Sequence, residues 1–252
     1  DPDDAGALSL SEEFLARHPG ERLVVASQAI ALRDAGQADA ADALVDLQRM
    51  IQISEPPLPD GFGNRDAFLG ELTRVILHDE SLLAEPASKA TRGGLQTGEL
   101  DLDQAPSLAA LGRMFLDAVQ AASENLRDAF GPDHACCAYD TGRWQLRAWG
   151  TVLETGGTQA PHQHPLGHLS GVYYLQVPAM GPDDSKAGWL EFGQPPSRLA
   201  CRDAAPRRSV APVPGQLVLF PSYFWHRTIP FESAETRVSI AFDAVPLAPK
   251  LV

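Results

Sequence analysis

Three histidines in two widely separated segments have the type and spacing to bind one metal ion. His162 and His164 lie two positions apart, and side chains with that spacing point to the same face of an extended strand. His226 comes from a later, distant segment. A third imidazole from another strand would complete one face of a metal ion and leave the opposite face open. Such an open site suits redox-active iron better than closed structural zinc.

An arginine and a serine follow the third histidine at a fixed spacing. Arg237 lies eleven residues after His226, and Ser239 lies two residues further on. The guanidinium is a planar, permanently charged fork, which suits a cosubstrate that carries a carboxylate. Three imidazoles and this arginine together predict a metal-dependent oxygenase.

The charge balance limits the class of partner. The chain of 252 residues contains 20 Lys and Arg against 33 Asp and Glu, which gives a formal net charge of −13. Such a surface repels a phosphate backbone on average, so a nucleic-acid substrate is disfavoured, although a locally basic cleft would override that average. No apolar run approaches the roughly 20 residues that cross a bilayer, so no membrane association is expected.

Cysteine content favours a reducing compartment. Cys136, Cys137 and Cys201 are too few for a disulfide framework, and no secretory leader is evident, so we expect a cytoplasmic protein. The chain begins at Asp1 rather than at a methionine, which favours a piece or a processed form of a longer protein.

The N-terminal part of the chain is predicted to be helical. Apolar residues recur at helical spacing through residues 8–54, and the segment 31–44 resembles the helix-turn-helix of a tetratricopeptide repeat. We therefore predict a tetratricopeptide-like helical segment at 1–55, which would dock a protein partner. The alternative is an ordinary helical pair packed on the main domain, because one repeat cannot bury its own face.

The remainder, residues 56–252, is predicted to be one domain. Residues 53–60 are predicted to be a linker, residues 64–83 and 106–130 amphipathic helices, and residues 88–97 a connection. Short strands then follow without intervening helices, which favours a sandwich or jelly roll over a parallel sheet. The predicted strands are Arg147–Glu154, Leu169–Val177, Gly188–Phe192, Gln216–Phe220 and Thr236–Phe242. The fold class expected is α+β, with a jelly-roll core and supporting helices.

Two stretches carry a resemblance to a known family. The stretches are Pro161–Leu175, which contains His-x-His, and Gly215–Phe242, which contains Trp-His and Arg-x-Ser. They resemble the Fe(II)/2-oxoglutarate oxygenases, and most of all the bacterial and phage group often fused to tetratricopeptide repeats. The likeness covers about residues 60–248. Two distant motifs in the right order are a more specific signal than either motif alone.

The resemblance implies a double-stranded β-helix that holds Fe(II) and uses 2-oxoglutarate and O2, with ascorbate as a candidate reductant. It implies metal ligation by His162, His164 and His226. It also implies that Arg237 pairs with the far carboxylate of 2-oxoglutarate. Three hydroxyl residues, Ser239, Tyr174 and Ser170, are the further candidates for that cosubstrate cavity.

The chain departs from the family pattern at one ligand. The usual motif is His-x-Asp/Glu, and His164 occupies the carboxylate position. A neutral imidazole there raises the net charge of the site by one and makes the metal a stronger Lewis acid. Two alternatives are that His164 turns away, leaving two protein ligands, or that the remote Glu191 supplies a carboxylate. His168 is expected to be a pocket wall at most.

Substrate and rival functions stay open from sequence. Candidate substrate contacts are Trp149, Gln159, Trp225 and Arg227, although core packing explains the tryptophans equally well. A peptide, a protein side chain or a small metabolite fits, and the acidic surface favours a peptide, a protein or a cationic metabolite. A homo-oligomer is compatible with the sequence. The rivals are a three-histidine cupin dioxygenase that does not use 2-oxoglutarate, and a non-catalytic scaffold.

Overall fold

The computed structural model describes residues 2–138, 140–179, 186–199 and 205–248. Cys201 lies outside these ranges. The helices are α1 (Pro2–Arg17), α2 (Arg22–Asp34), α3 (Ala38–Leu44), α4 (Arg65–Leu77) and α5 (Pro106–Phe130). The strands are β1 (Gln52–Ser54), β2 (Leu83–Ala84), β3 (Thr91–Gln96), β4 (Trp144–Gln159), β5 (Leu169–Gln176), β6 (Leu190–Phe192), β7 (Arg208–Val210), β8 (Leu217–Pro221), β9 (His226–Thr228) and β10 (Arg237–Pro246).

Two antiparallel sheets form the body of the domain. The larger has the order β1-β8-β5-β10-β4-β3-β2, and the smaller has the order β7-β6-β9. Phe192 of the small sheet meets Phe220 of the large sheet edge to face, with ring centroids 4.9 Å apart. Residues of both sheets line a cavity between them. The mixed architecture with an antiparallel jelly-roll core confirms the fold class expected from sequence, apart from its tetratricopeptide-like part.

Helices cover the outer face of the large sheet. Phe115 of α5 stacks on Phe242 of β10 with ring centroids 4.0 Å apart. Gly171 of β5 leaves room for this pair, because a Cβ there would lie 2.5 Å from the Phe242 ring. Such close packing at buried aromatic side chains holds the strands that carry the candidate site in one position.

Two of the strands that the sequence did not predict are β1 and β3. Residues 91–96, predicted to belong to a connection, form β3 and pair with β4, and Gln52–Ser54, predicted to lie at a helix end and linker, pairs with β8. The two adjacent glycines of β3 suggested a loop. The strand needs them instead: Gly93 has φ +60°, and a Cβ on Gly94 would lie 2.4 Å from the Val152 carbonyl oxygen. The register shifts at the same point, as in a β-bulge.

The N-terminal helices are attached to the main domain. Val25 and Ala26 of α2 belong to the main core, while Leu8 and Leu32 pack in a separate small cluster. Arg22 of α2 is buried, and its Nε donates to the carbonyl of Gly167 at 2.9 Å. The prediction of helices here is confirmed, and their tetratricopeptide character stays a prediction. None of the described helices is long and apolar enough to cross a membrane.

Candidate metal centre and cosubstrate cavity

The three predicted histidines meet at one point between the sheets. Their potential ligand atoms all lie within 4.8 Å of one another. The segment after β4 brings His162 beside β9. The backbone N–H of His162 donates to the His226 carbonyl at 3.0 Å, and the His162 carbonyl accepts from the His226 N–H at 3.0 Å. His164 is anchored by its own N–H, which donates to the Ser222 carbonyl at 2.9 Å. Backbone pairing therefore assembles the cluster from segments that are distant in sequence.

Each imidazole of the cluster uses its Nδ1 in a hydrogen bond to an oxygen. The Nδ1 of His162 lies 2.7 Å from the Ala160 carbonyl, and that of His226 lies 2.9 Å from the Phe224 carbonyl. The Nδ1 of His164 lies 3.1 Å from Oδ2 of Asp243. Because carbonyl and carboxylate oxygens only accept, each Nδ1 is the protonated nitrogen. All three Nε2 lone pairs are then available for one cation.

Burial favours the neutral form of two of these imidazoles. Desolvation, followed by the nearby His164, lowers the pKa of His162 to about 3. Desolvation and the neighbouring His162 and His164 also hold the pKa of His226 well below its usual value. A neutral imidazole is the form that binds a metal ion, so these two side chains need not lose a proton to bind one at neutral pH.

Asp243 is a site residue that the sequence analysis missed. It lies on β10, and its carboxylate accepts from Nδ1 of His164 at 3.0–3.1 Å and from the Ser170 hydroxyl at 2.6 Å. Metal-binding histidines commonly donate their second N–H to such a carboxylate, which fixes the ring and raises its basicity. The site therefore contains one carboxylate, Asp243, which bonds to the His164 ring and does not itself contact the position of the metal.

An inner cavity lies behind the histidines and contains the predicted arginine. Arg237 and Ser239 line it together with Thr228, whose hydroxyl accepts from Nη1 of Arg237 at 3.1 Å. Arg237 is 3% exposed. Among the described residues no carboxylate pairs with it, and its Nε has no hydrogen-bond partner. An unpaired buried charge is costly, so this guanidinium is suited to an anionic ligand.

Of the other two predicted hydroxyl residues, Ser170 lines this cavity and Tyr174 does not. Tyr174 lies beside Arg237, whose Cζ is 4.9 Å from the ring centroid. Within the described part of the chain no group lies in hydrogen-bond geometry to the Tyr174 hydroxyl, and burial raises its pKa although the adjacent Arg237 acts in the opposite direction. Ser170 lines the inner cavity, but its hydroxyl is bonded to Asp243. Tyr174 thus accompanies the arginine, and Ser170 supports the His164–Asp243 pair.

An outer cleft of about 690 Å³ leads from the surface to His162 and His164. Trp149, Gln159 and Trp225, predicted as substrate contacts, all line it. Trp149 also stacks on His164 with ring centroids 5.5 Å apart. Arg227, the fourth predicted substrate contact, does not line the outer cleft. Its neighbours His226 and Thr228 line the inner cavity, so the alternation of side chains along β9 directs Arg227 to the opposite face. There its Nε donates to Glu191 at 2.7 Å.

The remaining sequence candidates lie outside the cluster. Glu191 faces Arg227 and is not part of the histidine group that the described residues form. His168 is buried, with Nδ1 3.3 Å from Arg22 and Nε2 3.4 Å from the Ser123 hydroxyl. Desolvation, followed by the charge of Arg22, lowers its pKa to about 4. His168 therefore belongs to a structural network that joins α2 to α5.

A three-histidine cluster beside a buried arginine inside a jelly roll has the donors for a metal ion and for an anionic ligand next to it. In a comparison of the sequence with protein families, residues 147–243 match the family described as "Putative 2OG-Fe(II) oxygenase". These residues are therefore similar to a family whose description names Fe(II) and 2-oxoglutarate. The match includes all three histidines, Arg237 and Asp243. No curated protein matches the chain.

Solved structures share the fold at low sequence identity. A prolyl-4-hydroxylase from Pseudomonas putida is similar with TM-score 0.52 and 16% identity over 82% of this chain and 99% of that one. HygX from Streptomyces hygroscopicus, solved with nickel and 2-oxoglutarate bound, is similar with TM-score 0.53 and 12% identity over 82% and 87% of the two chains. At these identities the similarity shows a shared fold and nothing further about this chain.

The residues present fit the cofactor and cosubstrate of the family. Three Nε2 lone pairs on one side of the cavity suit a divalent metal that keeps open positions. The buried Arg237, with no carboxylate partner among the described residues, suits a dicarboxylate that reaches from the metal. Both features follow from this chain's own contacts.

Proposed function

We propose that this protein is an Fe(II)/2-oxoglutarate-dependent hydroxylase. In the proposed reaction one O2 and one 2-oxoglutarate are consumed. One oxygen atom enters succinate as CO2 is released, and the other is inserted into a substrate C–H bond. The protein would hold Fe(II) through His162, His164 and His226. The bound Fe(II) would supply the activation of O2, which organic side chains do not provide.

The observation that carries this proposal is the environment of Arg237. The guanidinium is buried in the inner cavity, has Thr228 as a neutral partner, and has no carboxylate partner among the described residues. A cavity that buries an uncompensated cation beside three imidazoles is complementary to a small dianion. We assign the far carboxylate of 2-oxoglutarate to Arg237, with Ser239 and the Tyr174 hydroxyl as further donors.

The other side chains position and protect the site. Asp243 holds the His164 ring so that its Nε2 faces the metal position, and Ser170 fixes Asp243 in turn. Trp149 covers one face of His164 where the outer cleft reaches the histidines. Trp149, Gln159 and Trp225 would orient the substrate C–H bond towards the open side of the metal. Arg227 is left out of this assignment because it pairs with Glu191.

Two rivals have less support. A cupin dioxygenase also uses three histidines, but it leaves the buried Arg237 without a function. A scaffold without chemistry would not need three Nδ1 anchors that direct three Nε2 atoms to one point. No contact of the described residues favours either rival.

Succinate formation is the direct test. The purified chain with Fe(II) should convert 2-oxoglutarate to succinate slowly without substrate and faster when substrate is present. Arg237→Gln should raise the 2-oxoglutarate concentration needed while Fe(II) affinity stays unchanged. A protein that binds Fe(II) and consumes O2 with no 2-oxoglutarate requirement would refute the proposal in favour of the cupin rival.

The tetratricopeptide-like character of residues 1–55 is retained as a proposal. The small Ala41 of α3 is buried against Leu32 of α2 in the small cluster, which suits the close helix approach of such repeats. A protein partner on these helices, a homo-oligomer and a cytoplasmic location are parts of the same proposal.

A further inference from the structure

The outer cleft has the opposite charge to the chain as a whole. The chain has a formal net charge of −13. The charged residues that line the cleft are four cations, Lys89, Arg92, Arg147 and Arg198, and two carboxylates, Glu99 and Asp243. A cleft lined by one sign of charge concentrates ligands of the other sign. The acidic average, which favoured a cationic substrate, therefore does not extend to the entrance of the site.

Both carboxylates of the cleft already have partners. Glu99 pairs with Arg147, whose Nη2 lies 2.9 Å from its Oε2. Asp243 is engaged by His164 and Ser170. Three cations then remain, and within the described ranges of the chain Lys89, Arg92 and Arg198 have no carboxylate within ion-pair distance. No carboxylate of the described residues pairs with these three cations, so their charge is available to a ligand.

The cations come from different elements around the entrance. Lys89 precedes β3, Arg92 lies on it, and Arg198 lies in the segment after β6 of the small sheet. The Nη1 of Arg92 donates to the carbonyls of Lys89 and Thr91 at 2.8 and 2.7 Å, which holds the guanidinium at the cleft. A fixed planar donor suits a carboxylate or a phosphate better than a mobile ammonium does.

Size and apolar surface restrict the occupant further. The cleft volume of about 690 Å³ falls in the range of about 300–1,000 Å³ typical of pockets for small molecules. Trp149 and Trp225 provide aromatic surface near the histidines. A small molecule would therefore place an apolar portion against the tryptophans and an anionic group against the cations.

We propose that the substrate of the outer cleft is a small organic anion that carries a carboxylate or phosphate group beside an apolar portion. The inference rests on the proposed function, because it concerns the substrate of the same reaction. The 2-oxoglutarate dianion is assigned to Arg237 in the inner cavity, so the outer cations are left for the second reactant.

The first test measures the local potential at Trp149. Quenching of its fluorescence by iodide is compared with quenching by caesium at equal ionic strength, in the full chain with EDTA so that no metal adds charge. The difference between the unmodified protein and Trp149→Phe isolates this residue from the other three of the four tryptophans. We expect iodide to be the stronger quencher, although the whole chain is acidic.

A triple variant then tests the residues. This variant carries Lys89→Gln, Arg92→Gln and Arg198→Gln together. Each substitution should contribute a decrease of about twofold in the ratio of iodide quenching to caesium quenching, which is the scale of a screened Coulomb interaction over roughly 10 Å. The matched control replaces Arg74, Arg113 and Arg143, which carry the same charge but do not line the cleft. Stronger quenching by caesium in the unmodified protein, or an equal effect of the control, would overturn the proposal.

The second test uses matched probes. Naphthalene-1-sulfonate should quench Trp149 at a concentration at least fivefold lower than the neutral naphthalene-1-sulfonamide, and the triple variant should abolish this difference. Equal affinities in the unmodified protein would overturn the anionic class. An acidic hexapeptide that binds more tightly than the sulfonate would overturn the small-molecule assignment.

A parallel measurement separates this inference from the proposed function. The absorption change that 2-oxoglutarate causes in the anaerobic Fe(II) protein should be the same in the triple variant. If the absorption change is present but iodide does not quench Trp149 more strongly than caesium does, only the substrate inference fails. Where the change is absent from the unmodified protein, the proposed function fails whatever the quenching shows.

Discussion

Replacement of Asp243 tests how the site operates with a histidine in the carboxylate position. In the structure its carboxylate lies 3.0 Å from Nδ1 of His164, and both side chains are only 13% exposed. Solvent therefore screens the interaction little. A hydrogen bond to a charged group contributes about 1.5–3 kcal/mol, and loss of such a partner behind a metal ligand costs roughly 10–100-fold in metal affinity.

The two substitutions to compare are Asp243→Asn and Asp243→Leu. The amide oxygen of Asn still accepts from Nδ1 but carries no charge, so Fe(II) affinity should fall by about 10-fold. Leu removes the acceptor as well, so the loss should approach about 100-fold. Anaerobic calorimetric titration with Fe(II) measures both, and thermal unfolding identifies any general loss of structure from the broken Ser170 contact.

Glu99→Gln is the matched control, because Glu99 is a carboxylate of the same cleft that pairs with Arg147 and not with a histidine. Its Fe(II) affinity should equal that of the unmodified protein. The reasoning is refuted if Asp243→Leu, while folded, binds Fe(II) as tightly as the control does. Such a result would mean that Asp243 neither orients His164 nor makes it a better ligand.

Further predictions concern the arginine, the departing ligand and a buried histidine. Arg237→Gln should weaken 2-oxoglutarate binding by about 100-fold and leave Fe(II) affinity unchanged by titration; equal weakening of both would contradict the assignment. His164→Asp should retain Fe(II) with an altered iron spectrum, and an unaltered spectrum would remove His164 from the ligand set. His168 has a pKa of about 4 in the fold, so its neutral form is favoured and stability is lost as pH falls below about 6.5. Between about pH 7.5 and 5 this group should cost about 2 kcal/mol in urea unfolding, and His168→Asn should remove that part of the slope; an unchanged slope would contradict the shifted pKa.

The position of the histidines could be predicted because the alternation of side chains along an extended segment is local, although the segment with His162 and His164 forms only an isolated bridge and not a strand. Spacing by two placed His162 and His164 together, and the later motif supplied His226, which the structure brings to the same point. The same alternation could also have excluded Arg227, since it lies between two cavity residues on β9. Asp243 could not be recognised, because its relation to His164 exists only when β10 packs beside the segment after β4, 79 residues away.

Fold prediction failed where tertiary contacts override local signals. The adjacent glycines of β3 predicted a connecting loop, but Gly94 is required by the close approach to Val152 of β4. The three-residue strands β7 and β9 are too short for any period to be visible. The charge of the outer cleft was also hidden, because net charge averages over the surface and Lys89, Arg92 and Arg198 are assembled by folding.

The central claim is that three imidazoles hold one Fe(II) whose open side faces a 2-oxoglutarate bound by Arg237. Its most direct test is the absorption spectrum of the anaerobic Fe(II) protein as 2-oxoglutarate is added. We predict a charge-transfer band that saturates at one 2-oxoglutarate per chain, is absent from His226→Ala, and needs a higher concentration in Arg237→Gln. A folded, Fe(II)-loaded protein that shows no band, or one that shows it unchanged in His226→Ala, would contradict the claim.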